Sequence, residues 1–142
     1  MQQPEQSPGF LLWHVTLRWQ RDIAAVLQPL GLTHVQFVLL ATAWWLNSHG
    51  HEPSQVELAA EAGVDVKMAS QVIRALERKG LISRATPPGD TRIRRLVVTK
   101  SGAALAPQAI DVVEAVDAAL IGRLSRTTGA TFVTALKQLR RD

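Results

Sequence analysis

Lys67, Ser70, Gln71 and Arg74 recur at intervals of three and four residues, a spacing that places all four on one face of a helix. Their side chains donate hydrogen bonds or carry positive charge, as contacts to base edges and phosphates require. A second group follows, with Arg84, Asp90, Arg92, Arg94 and Arg95 spread over two short β-prone runs on either side of Pro87-Pro88-Gly89-Asp90. Turn residues between β-prone runs predict a hairpin, here with a cationic tip and return strand. Between residues 66 and 102 nine basic residues, Lys79 among them, face two acidic ones, Glu77 and Asp90, a net charge of +7. The rest of the chain carries seven basic and ten acidic residues. Charge concentrated in this way is the footprint expected of a polyanion partner.

These side chains need elements to hold them. Residues 54–61 read as a helix, Ala62-Gly63-Val64 as a tight turn, and Asp65 as the N-cap of a helix over 66–79. Leu58, Ala62, Val64, Ala69, Ile73 and Leu76 would fill the interior of that helix-turn-helix, and Ala59 is small where the helices cross. Gly63 suits a turn that needs positive φ. A helix-turn-helix followed by a basic hairpin is a winged helix, a shape that grips duplex DNA through both grooves.

Flanking elements are equally readable. Leu12, Val15, Trp19, Ile23, Val26, Leu27 and Leu30 follow helical spacing over residues 9–30, after a flexible lead-in of residues 1–8. Thr33 and Gln36 form a capping-box pattern opening a helix to about Asn47, and Ser54 with Glu57 repeats it. Thr99 caps a long helix from Lys100 to about Leu124, with Pro107 as a first-turn residue or a mild kink. Thr128-Gly129 would open a short last helix carrying Phe132, Val133, Leu136 and Leu139. The predicted fold is therefore mainly α with a small β-hairpin wing. One domain of 142 residues combines a winged-helix lobe over 33–99 with outer helices over 9–30 and 100–140.

Other chemistries find less support. Without cysteine there is no disulfide, thiolate metal site or cysteine redox sensor. His49 and His51 lie in a loop without the helical spacing of a preformed metal site, so no metal or other cofactor is expected. Ser, His and Asp are present but no nucleophile motif joins them, so the chain is not expected to be an enzyme. No apolar run reaches the roughly 18 residues of a membrane span, and the N-terminus lacks a secretory pattern. The expectation is a cytoplasmic protein with no membrane partner.

In order and spacing, Gly31-Leu32-Thr33-His34-Val35-Gln36-Phe37, Leu76-Glu77-Arg78-Lys79-Gly80-Leu81-Ile82, Asp90-Thr91-Arg92 and Thr99-Lys100-Ser101-Gly102 resemble the MarR-type regulators along nearly the whole chain. That resemblance implies a homodimer joined through the outer helices, and a transcriptional regulator, usually a repressor, of pseudo-palindromic operators in double-stranded DNA. The outer helices also carry more apolar surface than a small winged-helix unit can cover. By resemblance, Ser70 and Gln71 would meet bases or phosphates, Lys67 would stand at the start of the helix, and Arg92 would enter the minor groove braced by Asp90. Arg84 would reach a phosphate from the first wing strand. Arg94 and Arg95 flank the tip, and strand alternation prevents both from facing DNA. Met68 and Arg74 depart from the family, where a small polar residue and an Asp are frequent.

Many such regulators release DNA when a small aromatic molecule binds between dimer platform and DNA-binding lobe. Trp13, His14, Leu17, Trp44 and Trp45 are the candidate lining here. Four tryptophans without a tyrosine is unusual in so short a chain, though the same residues suit core and dimer packing. A winged helix used for protein contact without an effector is the competing reading, at odds with the cationic face of Lys67, Gln71 and Arg74.

Overall fold

The computed structural model describes residues 3–89, 92 and 94–141. Asp90, which the sequence places at the wing tip, lies outside them. A 3-10 turn over Pro4–Gln6 leads directly into helix α1, Pro8–Leu27. Within the expected flexible lead-in, Pro4–Gln6 thus form a turn of 3-10 helix, and Met1 and Gln2 lie outside the described residues. Pro8 can start α1 because the first helical position lacks an intrahelical N–H partner anyway. After α1 the chain tightens into a second 3-10 turn, Gln28–Leu30, and Gly31 closes it.

Helix α2, His34–Ser48, begins with both bonds of its capping box: the Gln36 N–H donates to Thr33 Oγ1 and the Thr33 N–H to Gln36 Oε1, each at 3.2 Å. Ser54 and Glu57 open α3, Gln55–Ala62, in the same way. Gly63 turns the chain at φ +70°, a conformation that a β-branched side chain resists. Asp65 Oδ2 then accepts the Met68 N–H at 3.1 Å and starts α4, Val66–Arg78. Strands β1, Ile82–Ala85, and β2, Arg95–Val98, pair antiparallel with Ile82 opposite Val98 and Ala85 opposite Arg95.

Thr99 caps α5, Lys100–Ile121, accepting the Gly102 N–H at 3.1 Å and donating its hydroxyl to the Gly80 carbonyl at 2.6 Å. Gly102 lies so close to the wing base that an added Cβ would stand 2.2 Å from the Leu81 carbonyl oxygen and 2.7 Å from Val98 Cγ1. Pro107 sits inside α5, beyond the first turn. The last helix, α6, spans Arg126–Arg140 and starts earlier than expected. Ser125, not Thr128, caps it, accepting the Thr128 N–H at 3.1 Å, while Gly129 is buried against Ile121.

The core lies at the junction of these helices. Ile23 and Leu27 of α1, Leu39, Leu40 and Ala43 of α2, Leu58 and Ala59 of α3, and Ala69, Ile73 and Leu76 of α4 are fully buried, as are Leu96 of β2 and Ala106 and Ala109 of α5. Each of the larger side chains contributes about 1.5–3 kcal/mol by leaving water. No single helix among the described residues is long and apolar enough to cross a membrane.

Candidate nucleic-acid interface

The inner face of α4 is fixed by Ala69, Ile73 and Leu76, and this decides what its outer face presents. Lys67, Met68, Gln71 and Arg74 are exposed and Ser70 is half-buried, so the four polar positions singled out by spacing do share the outward side. Arg74 is held along the helix, its Nε donating to the Ser70 carbonyl and its Nη2 to Ser70 Oγ, both at 3.3 Å. Met68, 48% exposed, stands among these polar groups and not in the core.

The wing divides its arginines. Arg92 and Arg94 are exposed. Arg84 instead turns toward the body of the protein, donating from Nε to Glu77 Oε1 of α4 and from Nη2 to Gln55 Oε1 of α3, each at 3.0 Å. Arg95 donates to Glu57 Oε1 of α3 at 2.8 Å. The sequence offered both as DNA contacts; their guanidinium groups tie the two wing strands to the helix-turn-helix. Of the adjacent pair Arg94 and Arg95, alternation sends one outward and one inward.

Glu57 gathers several roles. Besides capping α3 and meeting Arg95, it lies 3.0 Å from His51 Nε2 through Oε2. Hydrogen bonding with Ser54 holds its carboxyl below the usual range, and His51 and Arg95 add to that. Asn47 joins α2 to the same wing strand, accepting the Val98 N–H at 2.8 Å and donating to the Leu96 carbonyl at 3.3 Å. The wing base is thereby fixed to α2, α3 and α4. No group of three His, Cys, Asp or Glu among the described residues could hold a metal ion.

On the outer helices the tryptophans separate. Trp13 is 63% exposed, and His14 and Leu17 beside it are exposed as well. Trp45 stacks on His49, while Trp44 borders a hollow with Asn47, Ser48, Glu52, Val97 and Val98. A more apolar hollow of about 400 Å³ opens between α1, α5 and α6, bordered by Leu12, Val15, Trp19, Asp117, Leu120, Phe132 and Leu136 among others. Trp13, His14, Leu17 and Trp45 border neither hollow. Trp19 Nε1 donates to Asp117 Oδ1 at 2.8 Å, and the Trp19 ring meets His34 edge to face at 5.0 Å. Burial pushes the His34 imidazole below the ordinary histidine range, although the Asp117 carboxylate pulls it upward. Sequence reasoning missed this trio. Its signal was a carboxylate, Asp117, set between Val113 and Leu120 on the apolar stripe of α5.

Known proteins share this arrangement. The MarR family model matches residues 32–93. The uncharacterized HTH-type transcriptional regulator YdcH of Bacillus subtilis is 38% identical over 136 residues, covering 96% of this chain and 91% of that protein. The HTH-type transcriptional repressor Rv2887 of Mycobacterium tuberculosis is 34% identical over 134 residues, 94% of each chain. Its crystal structure in complex with salicylic acid superposes with a TM-score of 0.72 at 33% identity, over 94% of this chain and 96% of that one. A mutant MarR from E. coli complexed with operator DNA gives a TM-score of 0.81 at 26% identity, over 94% and 93%. With relatives of this identity matched end to end over one shared fold, the chain belongs to the MarR family.

Proposed function

We propose that this protein is a homodimeric transcriptional regulator, a repressor, that binds a pseudo-palindromic site in double-stranded DNA and releases it when a small aromatic molecule binds. The observation that carries the reading is the outer face of α4, where Lys67, Ser70, Gln71 and Arg74 face away from a fully apolar inner face, beside a wing whose Arg92 and Arg94 are exposed. Relatives named as transcriptional repressors, and one solved on operator DNA, support it. In this reading α4 enters the major groove, with Gln71 and Ser70 at base edges or phosphates and Lys67 and Arg74 at the backbone. Arg92 reaches the minor groove, braced by Asp90. Arg84 and Arg95 serve the interface by holding the wing. Working on the chromosome, the protein acts in the cytoplasm.

The second copy follows from α1, α5 and α6. Phe10, Leu11, Leu12, Trp13, Val15 and Leu17 leave both sides of the first half of α1 exposed and apolar; Val133 and Leu136 border the same hollow as Leu12 and Val15, and Leu124 and Leu139 are exposed as well. Packing against the same elements of another copy covers it and sets two recognition helices about 34 Å apart. An effector site built on Trp13, His14 and Leu17 would take its other wall from that second copy, with Trp44 and Trp45 as further candidates. The structure of Rv2887 with salicylic acid supports a small aromatic effector.

A gel shift with DNA from upstream of the protein's own gene, repeated across a salt series, tests the assignment. With several phosphates contacted, affinity falls steeply and linearly on a log-log plot as salt rises. A flat salt response, or no shift, would point to a protein-contact module. For the effector, salicylic acid and simple phenols should quench tryptophan emission and weaken the shift; a panel that does neither removes the effector from the proposal.

A further inference from the structure

Lys79 belongs to the cationic segment, yet its ammonium group does not stand with the outer face of α4. It is the C-cap residue of that helix and reaches across to the corner between α1 and α2, donating to the Gly31 carbonyl and, at 2.7 Å, to Gln36 Oε1. Gly31 closes the 3-10 turn that extends α1, so the ammonium lies at the negative, carbonyl end of that helix. Gln36 Oε1 is the same atom that accepts the Thr33 N–H in the α2 capping box. The corner is fixed to the outer helices in turn, because His34, the first residue of α2, packs on Trp19, and Trp19 donates to Asp117 of α5. One side chain therefore links the end of the recognition helix to the helices that join two copies.

We propose that Lys79 is a positioning residue that fixes the angle of α4 against the dimer platform, and so sets how strictly the protein measures the distance between half-sites. This rests on the reading of the chain as a dimeric DNA-binding regulator. The geometry supplies the leverage. A helix of 13 residues is about 20 Å long, so a swing of about 10° at its C-terminal end moves its first turn by roughly 3.5 Å, about one base-pair step. Arg84 of the wing also holds this end of α4, donating to Glu77 and to Gln55 of α3, but those contacts stay within the lobe and cannot report on the platform.

The test uses the full-length protein and a duplex that the wild type selects from a random pool, together with the same duplex lengthened by one central base pair. Wild type should lose affinity about tenfold on the longer duplex. Lys79→Met should lose only about threefold, with an unchanged slope of log affinity against log salt, and Lys79→Arg should restore most of the discrimination. Val113→Ala, a buried truncation in α5, is the control for general loosening and should keep the wild-type ratio. Should Lys79→Met not fold, Lys79→Gln, which keeps a donor but loses reach, is read in the same way. The proposal is overturned if Lys79→Met keeps the tenfold ratio, or if Val113→Ala relaxes it equally. It is also overturned if the salt slope falls by about 0.9, the mark of a direct phosphate contact. If wild type selects no duplex, the DNA-binding reading fails and this proposal with it; selection with unrelaxed spacing sinks the proposal alone.

Discussion

The winged-helix lobe and the outer helices treat their surfaces in opposite ways. In the lobe most of the described large apolar side chains are buried or half-buried, with Trp45, Val56, Val66 and Met68 exposed, and several charges find partners within it: Arg84 with Glu77, Arg95 with Glu57, Glu57 with His51. Along α1 and α6, by contrast, Trp13, Leu12, Leu136 and Leu139 remain open, and Leu139 is 78% exposed. The outer helices leave more of their large apolar side chains open, and that difference supports the proposed division, recognition in the first region and assembly in the second.

That contrast is most directly broken at the hollow. Leu136→Glu places a charge where a second copy would pack, and size-exclusion chromatography with light scattering should then show monomers. Without the linked second half-site, DNA affinity should drop by about a hundredfold. Next in size is the seam between the two regions. Gly102→Ala drives a Cβ into the Leu81 carbonyl and Val98, and should lower unfolding free energy in urea by about 2 kcal/mol, about as much as Gly63→Val at its positive-φ turn. On the lobe alone, Arg92→Ala should reduce DNA affinity about tenfold while the protein still folds and keeps its oligomeric mass. Gln71→Ala should alter base preference more than salt slope.

The smallest effect concerns His34, where lobe and outer helices meet. Its pKa is lowered on folding, so the unfolded chain binds the proton more readily and stability falls as pH drops from about 6.5 toward the lowered folded value. His34→Gln should remove that part of the melting-temperature decline between pH 7 and pH 5. An unchanged decline would show that the imidazole does not couple the two regions.

Local signals in the sequence carried most of the fold. The pairs Thr33–Gln36 and Ser54–Glu57 are visible three residues apart, and both form the expected reciprocal bonds. The face of α4 follows from its period, since Ala69, Ile73 and Leu76 can only face inward together. The sequence points to Thr128-Gly129 as the start of α6, whereas Ser125 caps it; Ser125, Thr127 and Thr128 can all cap a helix, so the local pattern does not choose among them. Where the arginines point was less legible. Arg84 finds Gln55 29 residues away and Arg95 finds Glu57 38 residues away, partners that no local spacing reveals. Trp19 and Asp117, 98 residues apart, and Lys79 with Gly31 belong to the same class. Counting charge marks the cationic segment, but only tertiary contacts show that Arg84 and Arg95 are engaged with Glu77, Gln55 and Glu57.

The central claim is that two copies, joined through their apolar outer helices, present two recognition faces to one duplex. Native mass spectrometry of the protein mixed with a duplex from upstream of its own gene tests this directly. Each chain weighs 15.5 kDa, and the account predicts complexes that hold two chains per duplex, with the free protein also a pair. One chain per duplex, or a free protein that is monomeric at working concentration, would contradict it.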